Sequence, residues 1–210
     1  MAQLNASFQN NRNNGYAPNK QASSLFEVGE FLVFNGLGQV MSYDGTDLIT
    51  YSGASGAFTL GETVTGGTSG ATAVVVSDVS ASNYMTLSTV VGTFAVGETI
   101  TGGISGDTAT VVKFVVRNKI VGLCNEQITA GSSNYAQAVQ IGVSTAVNVL
   151  DFIDIPVITG TAVASMVGSY FNVDTTDAGG ISVSVPGVQI LITKVIDADN
   201  VVGAIALNVA

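Results

Sequence analysis

Short runs of β-branched and aromatic residues, interrupted every few positions by glycine, serine or asparagine, set the pattern of this chain. Ile181-Ser182-Val183-Ser184-Val185 alternates strictly, which is the period of a half-buried strand. Phe26–Phe34 and Gln39–Tyr43 flank Asn35-Gly36, and Asp44-Gly45 follows; such dipeptides between apolar runs signal hairpins. Further strands are predicted at Asn118–Leu123, Ala138–Val143, Val147–Ile153, Ser169–Val173, Val188–Val195 and Val201–Val209. Pro156 confines its neighbourhood to an edge or a turn. Thr161–Val167 fits either a strand or one helical turn. No segment sustains a helical period, so the predicted fold is all-β, with a compact sandwich or barrel-like core.

Within that pattern one segment occurs twice, 36 residues apart. Phe58–Val75 aligns with Phe94–Val111, and twelve of the eighteen positions are identical, too many for chance. Each copy reads as a strand, a Gly-Gly turn and a second strand, and Tyr84–Val91 supplies another strand between the copies. Glu62 and Glu98 fall at the same point of each copy. One acid repeated in one turn argues for structure, a carboxylate that accepts turn amides or tethers the next strand. Phe58 and Phe94 also match, and their equivalence points to core.

These features divide the chain into three. Residues 1–24 are rich in Asn and Gln without apolar periodicity, and are expected to be a flexible or partner-bound arm. Residues 25–57 and 113–210 form the expected β core, with the repeat module, 58–112, inserted between them.

Composition sharpens this picture. Charged residues are only 10% of the chain while apolar ones are 47%, against about 25% charged in an ordinary soluble domain. No apolar run approaches the roughly 18 residues of a spanning helix, and the polar start lacks a signal-peptide core. So little charge suggests a surface covered by neighbouring subunits. Six basic against fifteen acidic residues give −9, which disfavours a nucleic-acid face. The module 58–112 holds neither Lys nor Arg. Lys113, Arg117 and Lys119 cluster, and read as a local ion-pairing edge.

Candidate chemistry is sparse. The chain has no histidine, so Cys124 lacks the base of a nucleophilic thiol and reads as a small buried residue on a strand. As the single cysteine it can form no intramolecular disulfide. Asp151 with Asp154, and Asp174 with Asp177, are pairs of the kind glycosidases use, and equally acids that hold turns. Asp197, Asp199 and Asn200 resemble the start of an oxygen-rich Ca²⁺ loop, but Val202 and Asn208 stand where its Gly and Glu belong; a hairpin turn explains the same residues. No catalytic residue or cofactor is assigned.

The repeat, "GAFTLGETVTGGTSGATAVVV" and "GTFAVGETITGGISGDTATVV", resembles short β repeats of phage tail, fibre and capsid-associated proteins. The flanks "FEVGEFLVFNGLGQVMSYDG", "NKIVGLCNEQITAGSSNY" and "GSYFNVDTTDAGGISVSVPGVQILITKVIDADNVVGAIALN" resemble the capsid decoration (cement) proteins of tailed bacteriophages. That resemblance implies a structural, non-enzymatic virion protein, made in the host cytoplasm and sited on the outer capsid surface. It further implies a homotrimer that binds the major capsid protein, and neither nucleic acid nor membrane. The inserted module and the chain length depart from small decoration proteins, which keeps a fibre or adhesin-type role open.

Overall fold

The computed structural model describes residues 7–8, 14–20, 22–138, 140–144 and 152–205. Outside these lie Asp151, most of the expected strand Val147–Ile153, the end of Val201–Val209, and the rest of the arm. The chain is all-β, and it separates into two compact units, residues 45–117 and residues 1–44 with 118–210. The early strands are β1 (Ser7–Phe8), β2 (Asn14–Asn19), β3 (Phe31–Phe34) and β4 (Val40–Ser42). The middle strands are β5 (Asp47–Ser52), β6 (Thr63–Gly66), β7 (Thr72–Val79), β8 (Tyr84–Val91), β9 (Thr99–Gly102) and β10 (Thr108–Val115). The late strands are β11 (Ile120–Cys124), β12 (Gln140–Ser144), β13 (Phe152–Thr159), β14 (Tyr170–Val173), β15 (Ile181–Pro186), β16 (Ile190–Val195) and β17 (Asn200–Ile205).

The unit of residues 45–117 is a closed barrel in the order β10-β5-β8-β7-β6-β9. The two repeats supply β6, β7, β9 and β10, and β8 links them. Those five strands leave β8 and β10 with open edges, and β5 lies between the two and pairs with both. This is why the module begins at Gly45 and ends at Arg117, wider than the 58–112 read from the repeat alone. Closure leaves no edge to template pairing with another chain. The core holds Ile49, Tyr51, Phe58, Val64, Val75, Met85, Leu87, Phe94, Ile100 and Val111. Tyr51 meets Phe58 edge to face at 5.8 Å, and Phe94 meets Phe114 at 5.5 Å. Bulges interrupt the register between Val75 and Ser77 and between Val111 and Lys113. They leave Val76 and Val112, again 36 residues apart, as the extra residues at matching corners of the barrel.

The other unit is built of two sheets. One runs β2-β12-β11-β3-β4, and a parallel bridge from Lys20 to Val40 brings its two outer strands together. The second runs β1-β13-β15-β14-β16-β17, with β13 also paired to β17. Phe31, Leu32 and Val33 are all buried, because the first sheet has an apolar layer on each face. Phe31 and Val33 join Ile120 and Leu123 in the layer shared with Ile153, Phe171, Ile190 and Val201 of the second sheet. Leu32 lies in a smaller layer with Phe26, Val40, Cys124, Ile128 and Ile141. Asn35-Gly36 does sit in the β3–β4 connection, where the Asn35 carboxamide oxygen accepts the Leu37 and Gln39 amides. The ambiguous stretch near residue 164 is a single 3₁₀ turn, Ala164–Met166.

The N-terminal arm differs from the sequence expectation where it is described. Ser7–Phe8 pairs with β13, and Asn14–Asn19 pairs with β12 of the same chain. Sheet pairing of this kind uses backbone groups, so a polar segment without apolar periodicity joins a sheet without leaving a hydrophobic signal. Lys20, at its end, is buried and donates to the carbonyls of Tyr135 and Gln137, both at 2.8 Å.

Candidate functional site

The two equivalent carboxylates of the barrel tie its repeats to each other. Glu62 and Glu98 are both buried. Each holds its own turn through one oxygen, which accepts the Thr59 amide at 2.6 Å in the first repeat and the Ala95 amide at 2.6 Å in the second. Each then crosses to the other repeat. Glu62 accepts the Ile104 and Ser105 amides at 2.8 and 2.9 Å and the Ser105 hydroxyl at 2.9 Å. Glu98 accepts the Thr68 and Ser69 amides at 3.0 and 2.8 Å and the Ser69 hydroxyl at 2.8 Å. Burial alone would raise both pKa values. The donated hydrogen bonds outweigh it and hold each carboxyl below its ordinary 4.5. The Gly-Gly turns make the approach possible: a Cβ on Gly66 would lie 2.5 Å from the Ser69 Oγ and 2.7 Å from the Glu98 Oε1. The Gly67 amide reaches across to the Thr99 carbonyl, and Gly103 to Thr63, completing the exchange.

Asp174, Asp177 and Asp197, three of the other acids read from the sequence, are likewise engaged with nearby donors. Asp174 is buried and accepts the Thr159 hydroxyl, the Thr176 amide and the Thr176 hydroxyl at 2.5, 2.7 and 2.5 Å. Burial pushes its pKa up, but these bonds, with one from the Asp177 amide, bring it below 3.8. Asp177 accepts the Gly179 amide. Asp154 sits on β13 between β1 and β17. In the proposed Ca²⁺ turn, Asp197 accepts the Asp199 amide at 2.9 Å and the Asn200 side-chain amide at 2.9 Å, inside the β16–β17 hairpin. That geometry gives the Asp197 carboxylate to its own turn. Among the described residues, no group of three His, Cys, Asp or Glu side chains is placed to hold a metal ion.

Cys124 is buried at the end of β11, donates to the Glu126 carbonyl, and has its thiol pKa pushed up to about 11 by burial. A thiol so held is not a nucleophile at neutral pH. Arg117 is one of the three residues of the expected ion-pairing edge. It is buried, and it binds the chain where the barrel begins. Lys113 lies on β10.

A pocket of about 310 Å³ was not foreseen. Glu27, Glu30, Asp44 and Asp177 line it together with Ser42, Tyr43 and Thr176. Glu30 accepts the Ser42 hydroxyl at 2.6 Å and the Glu27 amide at 3.0 Å. Its pKa is nevertheless raised, by burial first, with the Glu27 and Asp177 charges adding to it. Only Glu27 and Glu30 are close in sequence, so no local motif could have announced the cluster. Comparison with known proteins finds no matching family model, no similar curated protein and no similar solved structure.

Proposed function

We propose that this chain is a structural virion protein of the capsid-decoration kind, a cement that binds the major capsid protein on the outer surface of the head, as a homotrimer, and stabilises it. The observation that carries the reading is the surface. Leu60 and Val96 are 64% and 71% exposed at equivalent points of the two repeats, and Ile104 is 74% exposed. Val76 and Val112, the bulge residues, are exposed as well. The Gly61 amide bonds to the Val75 carbonyl, and Gly97 to Val111, so each bulge stands beside its Leu60 or Val96 turn. Twin apolar spots on a chain with 10% charge suit a surface covered by neighbours in a lattice. The acids, meanwhile, hold turns, which favours a structural role over an enzymatic one.

The alternative is a fibre or adhesin-type protein whose barrel touches a host surface. It draws on the same twin spots and on the closure of the barrel as a unit of its own. Imaging of intact particles separates the two. Density fitting this fold at three-fold positions of the capsid supports the cement, and density on the tail or fibres supports the alternative. Absence of the protein from purified particles overturns both. A monomeric mass at high concentration overturns the trimer.

A further inference from the structure

Each repeat of the barrel is closed by a carboxylate belonging to the other, and this exchange gives the two acids a joint role. Neither Glu62 nor Glu98 has a basic residue among its bonded partners; amide and hydroxyl donors alone hold the two charges. A protonated carboxyl has one oxygen converted to a donor, and that oxygen then faces N–H groups that also donate. Protonating either glutamate therefore unpins one turn of its own repeat and one of the other.

We propose that Glu62 and Glu98 together form an acid latch, through which the barrel opens as one body on taking up two protons. The charged groups on the elements packed around them are otherwise engaged. Strands β6 and β9 carry none. Asp78 on β7 accepts the Tyr51 hydroxyl and the Phe58 amide. Asp107, before β10, accepts the Ser55 hydroxyl. Asp47 on β5 accepts the Arg117 amide, and Lys113 stands on β10. The sign follows from the lowered native pKa of each glutamate: the latch is closed above the ordinary value of 4.5 and releases as pH falls through the native value.

Amide hydrogen exchange on the full chain, corrected for intrinsic rates and followed from pH 7 downward, tests this. Peptides covering β6–β7 and β9–β10 should lose protection together, below pH 4.5, with a slope approaching two protons. In Glu98→Gln the slope should fall to one proton, because Glu62 alone remains to take one up. If that variant does not fold, Ser69→Ala and Ser105→Ala each remove a single hydroxyl donor, and each should raise the acid midpoint. Separate loss of the two repeats, or midpoints and slopes unchanged in all variants, would overturn the latch.

Discussion

Arg117 clasps Thr46 at the point where the chain both enters and leaves the barrel. Its Nε donates to the Thr46 carbonyl at 3.0 Å, its Nη2 to the Thr46 hydroxyl, and its backbone amide to the Asp47 carboxylate at 2.9 Å. Both residues are buried. The clasp needs a planar fork, because donors on two nitrogens meet two acceptors of one residue. Arg117→Lys keeps the charge but cannot reach both. It should cost about 1–3 kcal/mol, in line with lost buried hydrogen bonds to a charged group. Thermal unfolding followed by near-UV circular dichroism of the barrel tyrosines measures it, and an unchanged midpoint would show that the clasp is dispensable.

The glycines of the repeat turns are expected to divide into two kinds. Gly66 leaves room for the crossing carboxylate, and a Cβ there would press on Ser69 and Glu98. Gly61 has open space around it but a left-handed backbone, with φ of +82°. Gly66→Ala should therefore cost about 1–3 kcal/mol through overpacking, and Gly61→Ala about 1 kcal/mol through backbone strain. Combining each with Glu98→Ala, which removes the crossing group instead of replacing it with an isostere, distinguishes the causes. The Gly66 penalty should shrink once the carboxylate is gone, and the Gly61 penalty should simply add. Denaturant unfolding of the wild type, the three single variants and the two doubles gives both cycles.

The repeat was legible because Glu62 and Glu98, and Phe58 and Phe94, recur at a fixed spacing, and the all-β class because apolar runs were short and alternating. The crossing of Glu62 to the other repeat was not. Accepting amides from its own turn is a local event, whereas capping Ser105 depends on β6 lying beside β9, a pairing that no local pattern encodes. Strand β5 was missed as a stave for the same reason: Leu48, Ile49 and Tyr51 look like any core strand, and only closure assigns them to the barrel. The repeat is also imperfect in a way only the structure explains. Phe114 stands where the first copy has Asp78, so a ring contact with Phe94 replaces the hydrogen bond that Asp78 makes to the Phe58 amide. The acidic pocket joins Glu30 to Asp177 across 147 positions of the chain (177 − 30), beyond the reach of any motif.

Asp174 gives the other unit its own pH dependence. Its native pKa lies below the ordinary 3.8, so its contribution is present above that value and is lost as pH falls through the native one. Asp174→Asn puts an amide where Thr159 and Thr176 donate, and at neutral pH it should cost about 1–3 kcal/mol. The gap between wild type and variant should then close as the pH falls from 3.8 through the native value, below which both side chains are neutral. Urea unfolding at a series of pH values measures the gap, and a gap independent of pH would refute the assignment.

Tyr51 and Asp78 set a limit at the alkaline end. The Tyr51 hydroxyl donates to the Asp78 Oδ1 at 2.5 Å, while the Phe58 amide occupies the other oxygen at 3.0 Å. Burial first, and then the Asp78 bond and charge, raise the phenol pKa far above its ordinary 10.0. In the unfolded chain that phenol ionises near its ordinary value. Stability from this pair is therefore fully present below pH 10 and declines as the pH rises beyond it, because only the unfolded state gains the phenolate. Tyr51→Phe should cost about 1–2 kcal/mol at pH 7, the worth of a buried bond to a carboxylate. The difference from wild type should narrow above pH 10. Ultraviolet titration offers an independent reading: Tyr51 should stay protonated while the barrel is folded and ionise only when it unfolds. A phenol at this position titrating near 10 in the native protein would show that the Asp78 bond does not hold it.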